Sequence, residues 1–193
     1  MDAEMSAQPV PVLDRVHFTI DSERAADEAA REALLDRAMG AGRTRKSSEK
    51  LRRGRLPPEG LALVARDDDG ALVGTVRLWN VRLGDVCSGA LLLGPLAVEP
   101  SLKSAGIGSA LMRFAISEAQ RLGYRAILLV GDAAYYERFG FSARKTASLS
   151  MPGPYERERF LALELVDGAL DDAQGVLKPA GRKAKPAPMA RAA

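Results

Sequence analysis

Residues 91–108 read Leu-Leu-Leu-Gly-Pro-Leu-Ala-Val-Glu-Pro-Ser-Leu-Lys-Ser-Ala-Gly-Ile-Gly, and a helical pattern follows as far as Gly123. The apolar run carries no charge before Glu99, which is typical of a central strand buried on both faces. Proline cannot donate to a strand ladder and glycine often marks a bulge, so Gly94 and Pro95 predict a strand that splays there. The splay would leave backbone groups free to bind a ligand at three residues, Leu96, Ala97 and Val98.

The second half of this stretch predicts a loop of small residues that opens a helix reaching from Ser109 to Leu122. Apolar residues recur there at helical spacing, and Gly123 stands where a glycine commonly ends a helix. The free N–H groups and the dipole at a helix start attract anions, and glycines let a phosphate approach the backbone. Strand, loop and helix together therefore predict a cradle for a pyrophosphate.

The loop resembles the signature of the GNAT N-acetyltransferase superfamily, in which Arg or Gln is followed by two residues, a glycine, one residue, and glycine or alanine. Here the pattern is Lys103-Ser104-Ala105-Gly106-Ile107-Gly108. Lysine replaces the usual Arg or Gln, and Ser104 stands where glycine is common. A lysine can still meet a phosphate as a point charge.

A second block strengthens the resemblance. Residues 135–141 read Tyr-Tyr-Glu-Arg-Phe-Gly-Phe and match a block that many GNAT members carry after the fifth strand. From Gly131 onward the stretch is similar to a branch of predicted bacterial acetyltransferases with undefined acceptors. The resemblance implies an α/β fold (α+β in some schemes). Its mixed, mostly antiparallel sheet would be splayed between the fourth and fifth strands, with helices on both faces.

The resemblance also implies that the co-substrate is acetyl-CoA, whose acetyl group passes to a primary amine by direct attack on the thioester, without a metal. The pyrophosphate is expected on the loop, and the pantetheine arm is expected to pair along the central strand. The expected cofactor-binding residues are Leu96, Ala97, Val98, Lys103, Ser104, Ala105, Gly106, Ile107, Gly108, Ser109, Tyr135 and Phe139.

Two proton-transfer roles follow from the resemblance. Tyr136 is expected to be the general acid that protonates the leaving thiolate. The acceptor must lose a proton, because only about one amine in two thousand with a lysine-like pKa of ~10.4 is neutral at pH 7. Many family members place Glu or His on the central strand, but residues 90–98 carry neither here. Glu99 or Asp132 is left as the base or the end of a water relay, and ordered water alone stays open.

Composition limits the partners that we expect. Of the 193 residues, 47% are hydrophobic and 27% are charged, as in an ordinary soluble domain. The net charge is +3, but five cations and no acid lie beyond residue 177, so residues 1–177 carry a net charge of −2. This distribution does not favour nucleic acid as a partner. The expected partner is a small-molecule or peptide amine, bound by a monomer or a homodimer.

Location and domain limits are also predicted. No apolar run is long enough to span a bilayer, no signal-peptide pattern is seen, and the single Cys87 can form no internal disulfide, so we expect a cytoplasmic protein without a membrane partner. Residues 1–14 are predicted to be a flexible segment and residues 15–166 the acetyltransferase domain. Residues 167–193 are predicted to be an extension with a disordered Ala/Pro/Lys-rich tail from Lys178.

Three further interpretations complete the sequence reading. Residues 43–55, dense in Arg and Lys, are predicted to form a solvated basic helix, although the resemblance would place them beside the acceptor. Gly106-Ile107-Gly108 could begin a dinucleotide fingerprint, but Leu111 replaces its third glycine and the loop is too long for the tight turn. A non-catalytic acyl-CoA sensor on the same fold stays open, because the central strand carries no base.

Overall fold

The computed structural model describes residues 16–84 and 87–184, so the predicted flexible segment 1–14 and the end of the predicted tail lie outside the described residues. Eight strands form the sheet, in chain order β1 (Thr19–Ser22), β2 (Ala62–Arg66), β3 (Leu72–Leu83), β4 (Cys87–Val98), β5 (Ala126–Val130), β6 (Leu149–Ser150), β7 (Phe160–Glu164) and β8 (Gly175–Pro179). The α-helices are α1 (Glu28–Met39), α2 (Glu49–Arg52), α3 (Ile107–Arg121) and α4 (Ala133–Tyr136), and short 3₁₀ turns link several elements.

The main path of the sheet runs β1-β2-β3-β4-β5-β7. All neighbours on this path are antiparallel except β4 and β5, which run parallel. The predicted mixed, mostly antiparallel sheet is therefore confirmed. In the part of the chain that the structure describes, no helix combines the length and the apolar character needed to cross a lipid bilayer.

The sheet opens between β4 and β5. The two strands pair only where residues 90–92 face residues 126–128, whereas β4 continues along β3 to Val98 and β5 continues along β7 to Val130. Between the pairs Val76–Leu96 and Leu78–Leu93, one residue of β3 faces two of β4, so a bulge lies at Gly94-Pro95. The predicted splay and its position are confirmed.

Helices cover both faces of the sheet, as predicted. Along β2, Leu63 and Ala65 pack into the core under α3, while Val64 between them packs with α1 on the opposite face. This alternation follows from the two-residue repeat of a strand. The helix α3 buries one apolar stripe against the sheet, made of Ile107, Leu111, Met112, Ala115 and Ala119.

Buried ion pairs fix α1 on the sheet. The carboxylate of Glu23, just after β1, accepts hydrogen bonds from Arg31 of α1 and Arg77 of β3. Asp27 accepts one from Arg66 at 2.7 Å, and this bond holds the pKa of the Asp27 carboxyl below its ordinary value. Removing one partner would strand a buried charge, so the network sets the position of α1 and of the segment that follows it.

The C-terminal region differs from its prediction. The tail was expected to be disordered from Lys178, but β8 pairs Lys178 with Arg82 and Pro179 with Val81, and its Leu177 is buried. The prediction is wrong for residues 178–184, because β8 completes the edge of β3 that β2 leaves unpaired. Residues 143–151 form a 3₁₀ turn at 143–146 and a two-residue strand, β6.

Candidate functional site

A cavity of about 80 Å³ lies where β4 and β5 diverge. Leu93 and Leu129, from the core under α3, form one side of it, and Met39, which packs in the cluster around α1, forms another. The cavity therefore passes through the gap in the sheet and connects its two faces. Its remaining lining residues are Arg43, Lys46, Ser48, Arg52, Gly94, Pro95, Leu96, Val130 and Tyr136.

Tyr136 enters this cavity from the last turn of α4. Asp132 starts the helix as its N-cap, with the backbone N–H of Ala134 donating to Oδ1 at 3.3 Å. The ring of Tyr136 lies directly over Gly131, where an added Cβ would come within 2.2 Å of Cε2. Burial raises the pKa of the Tyr136 hydroxyl to about 12, and the positive charge of Arg159 opposes this rise. The hydroxyl therefore stays protonated at neutral pH.

The loop before α3 has the open geometry that an anion cradle needs. Gly106 and Ser104 both adopt positive φ, at 85° and 71°, and an added Cβ on Gly106 would meet nothing within 4 Å. Lys103 is exposed and forms no ion pair with residues 16–84 or 87–184. The N–H groups at the start of α3 are thus accompanied by an unpaired cation.

Aromatic residues of the second motif contact this loop. An added Cβ on Gly108 would lie 2.9 Å from the Tyr135 hydroxyl and 3.5 Å from Cγ2 of Val98, so the two motifs meet at the end of β4. The Tyr135 and Phe139 rings pack edge-on with centroids 5.6 Å apart. The structure therefore brings Val98, Gly108 and Tyr135 together, and Phe139 supports them.

The edge of β4 that faces the gap is unpaired within the described chain. Leu96, Ala97 and Val98 pair with β3 on one side only, since the pairing of β4 with β5 ends at Leu92. The indole N–H of Trp79 donates to the carbonyl oxygen of Gly94 at 2.6 Å. An extended ligand with amide groups could pair with this edge as a strand does.

The two candidate bases lie elsewhere. The side chain of Arg37 on α1 donates from Nε and Nη2 to Oε2 of Glu99, at 3.1 Å and 2.8 Å. Asp132 is exposed and caps α4, although its negative charge also acts to raise the pKa of Tyr136. Neither carboxylate lines the cavity between β4 and β5. The structure thus brings Tyr136 to the gap but not Glu99.

Three cations that the sequence reading assigned to a solvated helix line the cavity instead. The segment is a 3₁₀ turn at 41–45 followed by the short α2, and this path turns Arg43, Lys46 and Arg52 toward the gap. Arg43 pairs with Asp36 at 2.7 Å and with Glu32, and Arg52 pairs with Glu49 at 2.6 Å. The density of Arg and Lys, and the family resemblance that would place residues 43–55 beside the acceptor, were the signals in the sequence that pointed to them.

In the described ranges, no group of three or more His, Cys, Asp or Glu side chains lies close enough together to hold a metal ion. His17 is exposed and precedes β1. The groups in and beside the gap that could bind or react with a ligand are a protonated phenol, an unpaired strand edge, a helix N-terminus and several cations.

Known proteins resemble this chain in sequence and in fold. A profile of the acetyltransferase (GNAT) domain matches residues 58–143. The uncharacterized N-acetyltransferase YhbS of Escherichia coli strain K12 is 30% identical over 118 residues, which are 61% of this chain and 71% of YhbS. The crystal structure of YhbS from Escherichia coli in complex with CoA has a TM-score of 0.74 at 27% identity, covering 90% of this chain and 94% of that one.

A second solved structure is a GNAT family acetyltransferase from Brucella melitensis in complex with acetyl-CoA. It has a TM-score of 0.54 at 26% identity and covers 79% of this chain and 97% of its own. These matches confirm the resemblance that was based on the loop and on the Tyr-Tyr block. With the two motifs in contact at the end of β4 and 71% of YhbS covered at 30% identity, this chain belongs to the GNAT family of N-acetyltransferases.

Proposed function

We propose that this chain transfers an acetyl group from acetyl-CoA to a primary amine. The observation that carries the proposal is the position of the Tyr136 phenol, in a cavity that opens between the unpaired edge of β4 and the far face of the sheet. The CoA complexes of YhbS and of the Brucella protein support the choice of co-substrate. In this proposal the thioester approaches along the edge of β4 and the acceptor approaches from the other face of the sheet.

The chain's own residues provide a station for each part of acetyl-CoA. The N–H groups from Ser104 to Ser109, with Lys103 beside them, would bind the pyrophosphate. The pantetheine amides would pair with the edge of β4 at Leu96, Ala97 and Val98, passing Tyr135 and Gly108. This path leads the sulfur to the gap in front of Tyr136.

The proposed reaction needs two proton transfers: one to the leaving sulfur, from a phenol, and one away from the acceptor nitrogen, through water. The neutral amine attacks the thioester carbon, the new C–N bond forms, and a backbone N–H near Leu96 steadies the oxyanion. The C–S bond then breaks, and Tyr136 donates its proton toward the departing sulfur. The acceptor nitrogen loses one proton to water, and the phenol regains its proton from solvent.

We place the far end of that water relay at Asp132 rather than Glu99. The Glu99 carboxylate is ion-paired with the Arg37 guanidinium. The charge of Asp132, by contrast, lies near enough to Tyr136 to raise the pKa of its hydroxyl. Asp132→Asn keeps the helix cap, since asparagine caps as well as aspartate does, and it should lower kcat at acidic and neutral pH. Glu99→Gln is the matched control and should leave kcat unchanged. The opposite pattern would move the base to Glu99.

The test is acetyl-CoA binding by calorimetry, followed by release of free thiol with a broad panel of amines. We expect binding, and turnover of at least one amine. A second candidate function, a non-catalytic acyl-CoA sensor, is favoured by one observation: the cavity lining includes neither a carboxylate nor an imidazole. Tight binding of acetyl-CoA with no turnover of any amine would establish the sensor. Failure to bind acetyl-CoA would exclude both functions.

A further inference from the structure

A second cavity, of about 210 Å³, adjoins the gap on the side away from α3. It shares Lys46, Ser48 and Val130 with the first cavity, so the two cavities are adjacent. The turn before β7 closes its other side with Tyr155 and Arg159. An acceptor that approaches Tyr136 from this face must pass through it.

The charge of this second cavity is not balanced. Lys46 is exposed and forms no ion pair with the described residues. The ion pair that Arg159 forms among those residues is with Glu156, which also lines this cavity, at 3.6 Å between two exposed side chains. An exposed pair at that distance neutralises little charge. By contrast, Arg43 and Arg52 of the first cavity are matched by close carboxylates. With Lys46 unpaired and Arg159 only loosely paired with Glu156, the lining of this cavity keeps a net positive charge that can attract an anion.

This cationic pair lies next to the phenol. The backbone N–H of Gly131 donates to the carbonyl oxygen of Arg159 at 2.9 Å, and the Tyr136 ring covers Gly131. Arg159 and Tyr136 are thus separated in space by Gly131, which contacts both of them. Ser48 and Tyr155 add hydroxyl donors to the same walls. Hydroxyls and cations together are the groups that bind carboxylates and phosphates.

We infer that the acceptor is an amine with an anionic group, a carboxylate or a phosphate, which binds between Lys46 and Arg159 while the amine faces the gap. The inference rests on the proposed acetyltransferase function and specifies its substrate class. An anionic group offsets the net positive charge of this lining, whereas a polycationic acceptor would be repelled by it. The acceptor would then be anchored at one end and reactive at the other.

The test uses amines that differ in the anionic group. Glycine is compared with glycinamide, and 2-aminoethyl phosphate with ethanolamine, by thiol release with the full chain. We expect the anionic member of at least one pair to have a kcat/KM higher by about tenfold or more. The pair with the larger ratio distinguishes carboxylate from phosphate. Lys46→Gln should reduce that ratio mainly by raising KM, with kcat retained, and Arg159→Gln should reduce it as well.

The control is Arg82→Gln, which removes the same charge from an exposed side chain of β3 that lines neither cavity. It should leave the ratio unchanged. A second measurement needs no turnover: calorimetric titration of the CoA-saturated chain with glycine and glycinamide, and with 2-aminoethyl phosphate and ethanolamine. Stronger binding of the anionic member of at least one pair, lost in Lys46→Gln, supports the inference. Equal binding within both pairs, or no binding of either anionic amine, contradicts it.

The two proposals fail in different ways. If acetyl-CoA binds and neutral amines are acetylated as fast as anionic ones, the acceptor class is wrong and the acetyltransferase proposal stands. If acetyl-CoA does not bind, the acetyltransferase proposal fails. The same titration without CoA then still decides whether Lys46 and Arg159 bind an anion.

Discussion

Replacing Tyr136 with phenylalanine is the sharpest perturbation that the structure offers. Phenylalanine keeps the ring contacts with Tyr135 and Phe141, whose centroids lie 4.9 Å and 6.0 Å away, and removes only the hydroxyl. If that hydroxyl assists the departure of sulfur, kcat should fall by about 10²- to 10⁴-fold. Acetyl-CoA affinity should change by less than about threefold, because thioester sulfur accepts hydrogen bonds weakly in the ground state.

The pKa of Tyr136 determines the expected pH dependence. Burial raises this pKa to about 12. At pH 9 an ordinary tyrosine with a pKa of ~10 is about 10% ionised, whereas Tyr136 would be about 0.1% ionised. At pH values under about 11, ionisation of the phenol should therefore not reduce the wild-type kcat. The difference in tyrosinate absorbance between wild type and Tyr136→Phe reports the ionisation of Tyr136. It should titrate with a pKa well above the ordinary value of ~10.

The same shift has a consequence for stability. The folded-state pKa is raised, so the contribution of Tyr136 is complete below about pH 10 and is lost as the pH rises toward about 12. A difference of about two pH units corresponds to about 3 kcal/mol of unfolding free energy. Urea unfolding across this range should show a steeper loss of stability in wild type than in Tyr136→Phe.

The matched control is Tyr124→Phe, since the Tyr124 hydroxyl is partly buried and bonds Asn80 outside the cavity. It should leave kcat unchanged. A Tyr136→Phe enzyme with the wild-type kcat would refute the role of the phenol. A tyrosinate titration centred near the ordinary pKa would refute the burial argument independently of activity.

Three other substitutions test the geometry. Gly131→Ala should lower kcat by at least about tenfold, because its Cβ would come within 2.2 Å of the Tyr136 ring and displace it; thiol release measures this. Gly108→Ala should weaken acetyl-CoA binding in calorimetry, since its Cβ would meet the Tyr135 hydroxyl at 2.9 Å, and Tyr135→Phe in the same chain should restore part of it. Leu177→Ala should lower the unfolding free energy by about 2–5 kcal/mol, because β8 buries this side chain. Unchanged urea midpoints would mean that β8 is not packed.

The splay and the loop could be predicted because their causes are local. Three signals affect only the residues next to them in the chain: a buried apolar run, a Gly-Pro interruption and a glycine before an amphipathic helix. The structure shows the strand, the bulge and the helix that they predict. The strand β8 could not be predicted in this way. Its Lys-Pro composition does not favour a strand, and only the unpaired end of β3, about a hundred residues earlier, makes it one.

The resemblance would place residues 43–55 beside the acceptor, but the individual side chains that form the cationic walls of the cavities could not be predicted, for a similar reason. The sequence shows that residues 43–55 are rich in Arg and Lys, but not which of them face the gap. That depends on the buried ion pairs that hold α1 and on the turn that follows it. Arg159 gave no signal at all, since it reaches the site through the pairing of β7 with β5. The positions of these side chains depend on contacts between distant parts of the chain, such as the register of β7 on β5, and not on the local sequence pattern.

The raised pKa of Tyr136 also limits how it can act. Full transfer of a proton from a phenol of pKa about 12 to a thiolate of pKa ~8.5 is unfavourable by roughly 3.5 units, or about 5 kcal/mol. Tyr136 should therefore share its proton with sulfur in the transition state rather than release it beforehand. The hydrogen bond is then strongest when sulfur carries most charge and weak before the C–S bond breaks. Such a difference between transition state and ground state raises kcat without tightening substrate binding, which is why the phenylalanine variant should lose turnover and keep its affinity.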